Sequence, residues 1–246
     1  MAILVTGGTK GIGRDIALAF ADPGNVVIVN YHADTAAAEA TAADIEAKSA
    51  KAVVVRADAG TPEGCAAIAE AARSATDRLD QVVHCAVDVL TGPVLEADPR
   101  RFADAVTTNG TSLLFLYQAV SDMLGRGSTL FFLSSRGGRI VVDNYAAIGV
   151  GKALAEALLR YMAVELAPKG IRINAIAPSM VDTAAVRSLF GDSTDGLMDR
   201  AAAANPSGRN VAPGDYTSLI RYLASPEAEY LTGQVYFING GSNLSA

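Results

Sequence analysis

The chain has 246 residues, half of them apolar, and a formal charge of −6 at pH 7. That length suits one sizeable domain with an ample core, and an acidic balance without any basic block argues against nucleic acid as a partner. Two cysteines and two histidines are too few for a disulfide framework or a zinc site, so no metal is expected.

Strand-like and helical stretches alternate along the chain. "AILVT" (2–6) enters the turn of "LVTGGTKGIGR" (4–14), and "GRDIALAFA" continues with helical period. The further strand candidates are "VVIVN" (26–30), "AVVVR" (52–56), "QVVHC" (81–85), "TLFFL" (129–133), "IRINAI" (171–176) and "VYFIN" (235–239). Before the sixth lies "ALAEALLRYMAVELA" (153–167), in which Leu154, Ala157, Leu158, Tyr161, Met162 and Leu166 make a wide apolar stripe. Strands that are apolar throughout and separated by helices predict a parallel sheet covered on both faces. The expected fold is therefore α/β, a Rossmann-type doubly wound parallel sheet, with residues 1–246 forming a single domain. The least regular stretch, 183–214, is rich in Gly, Asp, Ser and Pro and follows a strand end where ligands sit, so it is expected to be a substrate lid. Apolar runs such as "LLFLY" (113–117) are far too short to cross a bilayer. The opening strand leaves no room for a signal peptide, and a soluble, cytoplasmic protein is expected.

The first turn carries the clearest chemistry. Gly7, Gly11 and Gly13 stand between a strand and a helix, where backbone N–H groups and a helix N-terminus can approach a pyrophosphate. At the end of the second strand, where an acid would bind the ribose of NAD, stand Asn30 and Tyr31, followed by His32. Lys10 and Arg14 beside the turn are candidates for meeting a 2′-phosphate, so NADPH is expected ahead of NADH. Asp58 either contacts the adenine edge or caps the next helix.

Together, "TGGTKGIG" (6–13), "RADAG" (56–60), "SS" (134–135), "NYAAIGVGK" (144–152), "NAIAPSMVDT" (174–183) and "LTGQVYFINGG" (231–241) resemble, in order and spacing, the short-chain dehydrogenase/reductase family over nearly the whole chain. Within it the chain looks most like bacterial enoyl-acyl-carrier-protein reductases of the type III form, which share the seven-residue step from tyrosine to lysine. The resemblance implies that Tyr145 donates to the substrate oxygen, that Lys152 holds the nicotinamide ribose, and that Ser135, with Ser134 as rival, binds the same oxygen. It implies that Asn109 holds a water or the helix backbone near the lysine; its structural alternative is to stabilise a helix kink. Pro178, Val181 and Thr183 would meet the nicotinamide amide, and Thr9, Ile12, Ala59 and Ala86 complete the expected cofactor contacts. Family members often form tetramers, and a homotetramer or homodimer is expected. One departure is His84-Cys85-Ala86-Val87, where the family commonly has Asn-Asn-Ala-Gly. His84 is read as a packed, hydrogen-bonded residue and Arg136 as a solvated one.

On a helix, a spacing of seven leaves two side chains about 20° apart and roughly 10.5 Å along the axis; a spacing of four gives about 40° and roughly 6 Å. In enoyl reduction the hydride lands on the β-carbon while charge gathers on a carbonyl oxygen further along, so a more distant donor fits. This inference assumes a continuous helix from 145 to 152, which Gly149 and Gly151 weaken. The expected activity is NADPH-dependent reduction of an enoyl thioester; the alternative is a ketoreductase of a β-keto or polyketide-type substrate. A non-catalytic cofactor sensor is disfavoured, since both tyrosine and lysine are present.

Overall fold

The computed structural model describes residues 1–184, 186–187 and 191–242. Seven strands form one parallel sheet in the order β3-β2-β1-β4-β5-β6-β7. They are β1 (Ala2–Thr6), β2 (Val26–Tyr31), β3 (Lys51–Arg56), β4 (Gln81–His84), β5 (Thr129–Leu133), β6 (Arg172–Pro178) and β7 (Val235–Ile238). Every predicted strand is present, within two residues of its expected ends. The helices are α1 (Gly11–Ala19), α2 (Thr35–Glu46), α3 (Pro62–Ala75), α4 (Pro99–Val106), α5 (Ser112–Val120), α6 (Ala146–Leu166), α7 (Thr194–Ala204) and α8 (Pro213–Ala224).

The central strands are largely apolar because each face of the sheet has its own core. Ala2 and Leu4 of β1 join a cluster with Ile68 of α3, Leu116 of α5 and Leu159 of α6. Ile3 and Val5 point the other way, towards Ile16 of α1, Ile45 of α2 and Ile220 of α8. Strand order reverses between β1 and β4, and the crevice at their carboxyl ends is where such sheets bind ligands.

Two expectations change. The buried face of α6 is Lys152, Ala155, Glu156, Leu159, Met162, Ala163 and Leu166, whereas Leu154 and Tyr161 from the predicted stripe are exposed. In an alanine-rich helix the wheel is apolar nearly all round, so period alone does not select the face that meets the sheet. The expected lid, 183–214, is more regular than its composition suggested: it contains α7 and the start of α8, while positions 185 and 188–190 lie outside the described residues. Among the described residues no helix is long and apolar enough to cross a membrane, and no cluster of three or more metal-ligating side chains occurs.

Candidate active site

The turn after β1 is built to receive an anion. Gly7 and Gly11 adopt φ of 59° and 49°, which glycine reaches without strain. A side chain at Gly13 would run into the carbonyl oxygen of Gly7, so that position admits only the close approach of helix to turn. The N-terminus of α1 has no side-chain cap and no acid in its first turn, which leaves its N–H groups and partial positive charge for a ligand. Thr9 is buried and Ile12 half-buried within this turn. The end of β6 folds over it: a methyl group on Gly11 would lie 2.9 Å from Cγ2 of Thr183, while Val181 is buried and Pro178 ends the strand. Cys85 and Ala86 approach from β4, both backbone N–H groups donating to Thr6 Oγ1 at 3.1 and 3.2 Å. Glycines, free helix N–H groups and the overlying β6 segment fit a dinucleotide pyrophosphate.

The ribose end differs from expectation. Asn30 is buried; its amide donates to the carbonyls of Val55 and Ala57 at 3.2 and 2.9 Å, stapling β2 to β3, and its Oδ1 accepts from the Gly7 N–H of the glycine turn at 3.4 Å. Lys10 pairs with Asp34 and Arg14 with Asp44, so neither cation is unpartnered. An acid does reach the end of β2 after all: Asp34, which caps α2 by accepting from the N–H of Ala37. Tyr31 is half-buried, with its hydroxyl 3.5 Å from Thr35 Oγ1. Asp58 accepts from the N–H of Gly60 at 2.8 Å, closing a turn, while Thr61 caps α3; Ala59 beside it is buried.

Ser135, Tyr145 and Lys152 gather at the carboxyl end of β5. Lys152 is 5% exposed, with Nζ 4.5 Å from the centroid of the Phe132 ring, and burial pushes its ammonium down to about 8. Tyr145 lies outside the helix, at its N-cap with φ −112° and ψ 10°, and its carbonyl accepts the first helical bonds from Ile148 and Gly149. The continuous helix assumed from 145 to 152 therefore begins one residue late. Asn144 at φ 58° turns the chain into that position. Burial pushes the Tyr145 phenol up, and the neighbouring Ser135 hydroxyl and Arg136 charge oppose the rise. Four residues before Lys152, where the shorter spacing would put a tyrosine, stands Ile148, fully buried and without a hydroxyl.

The two glycines that weakened the helix assumption serve packing. A methyl group on Gly149 would come 2.6 Å from the carbonyl oxygen of Gly137, and one on Gly151 would come 2.5 Å from Cβ of Asn109. Asn109 sits in a single wide turn, Thr107–Thr111, between α4 and α5. Its side chain accepts from the N–H of Asp88 at 3.0 Å and donates to the Asp88 carbonyl at 2.8 Å. These bonds clamp the segment after β4 to the wide turn, a role the sequence did not suggest. Ser134 Oγ donates to Glu156 Oε1 at 2.6 Å, which leaves Ser135 as the hydroxyl beside Tyr145. His84 is packed as expected: Nε2 lies 2.7 Å from Ser112 Oγ, and burial pushes the ring down to about 3, so it stays neutral. Asp34 and Glu156 escaped the sequence reading. Asp34 lies three residues past the end of β2, and Glu156 was visible only as one of several charged residues in a mostly apolar helix, four positions after Lys152.

A family model described as enoyl-(acyl carrier protein) reductase matches residues 7–243. The chain belongs to the short-chain dehydrogenase/reductase family. It is 30% identical over 247 residues to 1-cyclohexenylcarbonyl-CoA reductase of Streptomyces collinus, covering 99% of this chain and 87% of that one. It is also 30% identical over 240 residues to 3-oxoacyl-acyl-carrier-protein reductase FabG of Staphylococcus aureus, covering 97% and 96%. Among solved structures, the Pseudomonas aeruginosa RhlG/NADP active-site complex superposes with a TM-score of 0.88 at 26% identity, over 99% of this chain and 96% of that one. This short-chain dehydrogenase/reductase is thus an NAD(P)-dependent oxidoreductase.

Proposed function

We propose that the protein reduces the carbon–carbon double bond of an enoyl thioester with NADPH, through Tyr145, Ser135 and Lys152. The observation that carries the reading is the pairing of a buried, hydroxyl-free Ile148 four residues before Lys152 with Tyr145 seven residues before it, beside Ser135. An acid seven residues before the lysine suits an oxygen remote from the carbon that receives the hydride.

When bound, NADPH supplies the hydride. Tyr145 donates a hydrogen bond to the thioester carbonyl oxygen, which gains negative charge as the β-carbon is reduced. The enolate collapses to the saturated thioester when its α-carbon takes a proton from solvent. The raised pKa of Tyr145 keeps the phenol protonated and able to donate at neutral pH. Ser135 adds a second donor to the same oxygen. Lys152 holds the nicotinamide ribose, and its charge stabilises the developing enolate; burial behind Phe132 keeps that charge poorly screened. A bond of 3.1 Å from the Gly92 N–H to the Asn144 carbonyl joins the loop after β4 to the segment just before Tyr145, and these two loops would frame the substrate entrance. They expose Val87, Val94 and Leu95 on one side and Ile140 and Val141 on the other, an apolar rim suited to an acyl chain. The described part of the stretch after β6 that carries α7 serves as the lid over this entrance. Lys10 meets the 2′-phosphate by exchanging Asp34 for it. Leu154, Tyr161 and Val164 leave α6 with an exposed apolar stripe that a second copy of the chain covers in a homodimer or homotetramer.

Two relatives with different printed activities, a 1-cyclohexenylcarbonyl-CoA reductase and a 3-oxoacyl-acyl-carrier-protein reductase, make the ketone the competing substrate. Reduction with NADPH deuterated at the transferred position separates them. Deuterium at the β-carbon of a saturated thioester is expected. Deuterium on a carbinol carbon, with the enoyl compound untouched, would replace this reading by the ketoreductase.

A further inference from the structure

The position of Tyr145 raises a question that helix geometry does not answer. Because the residue stands before α6, the helix does not fix its ring; the loop 134–145 does. That loop turns tightly at Arg136–Gly138, where the Gly138 N–H donates to the Ser135 carbonyl at 3.0 Å and the Gly137 N–H to Ser135 Oγ at 3.2 Å. The Tyr145 ring rests directly on Gly137: a methyl group there would lie 2.6 Å from Cδ1 and 2.7 Å from Cε1. Whatever holds this turn against α6 therefore sets the distance between Ser135, Tyr145 and Lys152.

One side chain spans that junction. Glu156 is 3% exposed and stands one helical turn beyond Lys152 on the buried face of α6. Its Oε1 accepts from Ser134 Oγ at 2.6 Å, on the near side of the turn. Its Oε2 accepts from Arg139 Nε at 2.9 Å, on the far side. The Arg139 guanidinium is held in turn over the Phe237 ring of β7, 4.9 Å from its centroid. A buried carboxylate is costly unless both oxygens are satisfied, so the arrangement is held only while the turn keeps its place.

We propose that Glu156 is a positioning residue for the reaction: by gripping Ser134 and Arg139 on either side of the turn, it locks Ser135 and Tyr145 in register with Lys152. This deepens the proposed function, since it rests on Ser135 and Tyr145 acting on the substrate oxygen. The geometry also explains why two adjacent serines are present. Ser134 anchors the turn and Ser135 is left to face the substrate.

The test is Glu156→Gln, which keeps the volume but sets a neutral amide where a carboxylate met a guanidinium and a hydroxyl. kcat is expected to fall about 10- to 100-fold, with the KM of the acceptor and the Kd of NADPH both within about threefold of wild type. Amide hydrogen exchange is expected to rise in 134–149 and stay unchanged in the glycine turn, 4–14. Adding Ser134→Ala to Glu156→Gln should cost no more than Glu156→Gln alone, because both break one linkage. If Glu156→Gln does not fold, Arg139→Met carries the same expectation, as Arg139 is about half exposed and its loss opens no core. A kcat within twofold of wild type, unchanged exchange in 134–149, or NADPH affinity falling in step with kcat would each overturn the proposal. The ratio is read on whichever acceptor the wild type reduces, so a ketone preference would defeat the proposed function without touching this test. If the wild type reduces neither acceptor, hydrogen exchange alone decides.

Discussion

Gly137→Ala perturbs the candidate site with a single methyl group. Its Cβ would stand 2.6 and 2.7 Å from Cδ1 and Cε1 of Tyr145, whereas carbon atoms settle at about 3.5–4.0 Å. The ring must then retreat by about 1 Å, or the turn must shift by as much. Misplacing a reacting group by that distance costs roughly 100-fold, equivalent to about 2.7 kcal/mol of transition-state stabilisation. The overpacking itself costs about 1–3 kcal/mol, which lowers Tm by several degrees without unfolding a chain of this length. The assay combines steady-state kcat/KM with an enoyl thioester, NADPH titration by fluorescence and thermal melting. A roughly 100-fold lower kcat/KM beside an unaltered NADPH Kd is expected, since the cofactor turn lies at the other end of the crevice. A kcat/KM within about threefold of wild type would refute the claim that Gly137 seats the tyrosine.

Tyr145→Phe removes one donor to the developing enolate and should lower kcat by about 10²–10³-fold, with NADPH Kd unchanged by fluorescence titration. Lys152 carries its charge below about pH 8 and loses it above, so kcat/KM should decline on the alkaline side through that value in a pH–rate profile. For stability the sign is reversed from a salt-bridged lysine. Burial lowers its folded pKa below the unfolded 10.5, the unfolded chain binds the extra proton between these values, and the penalty on the folded state eases as pH rises through that window. Lys152→Met should therefore melt no lower than wild type at neutral pH while losing turnover. Asp34→Asn frees Lys10 and should tighten NADPH several-fold while leaving NADH Kd unchanged, measured by titration of both cofactors.

The fold was legible because its determinants are local and repeated. Each strand carries its own apolar run, and the glycine turn is short enough for spacing to define it. The face of α6 was not legible, because Leu154 and Leu159 look alike in sequence and only the sheet distinguishes them. Site residues fell on the same divide. Ser135, Tyr145 and Lys152 come together as their order along the chain suggested, but their partners come from elsewhere. Asn30 is held by the carbonyls of Val55 and Ala57 at the β3 end on one side and by the Gly7 N–H of the glycine turn on the other. Glu156 meets Ser134 across 22 positions and Arg139 across 17, pairings no periodicity reports. Gly149 and Gly151 looked like helix breakers, and only the Gly137 carbonyl and Asn109 packed against them reveal why no side chain fits.

The most direct test of the central claim is NADPH consumption by the wild-type protein with a short enoyl thioester and, separately, with the matching β-ketothioester. Turnover of the enoyl compound, with the ketone slower by at least about 100-fold, is the result that a tyrosine seven residues before the lysine predicts. Turnover of the ketone alone would contradict it, and would mean that Tyr145, from its place outside the helix, reaches the carbonyl that itself receives the hydride.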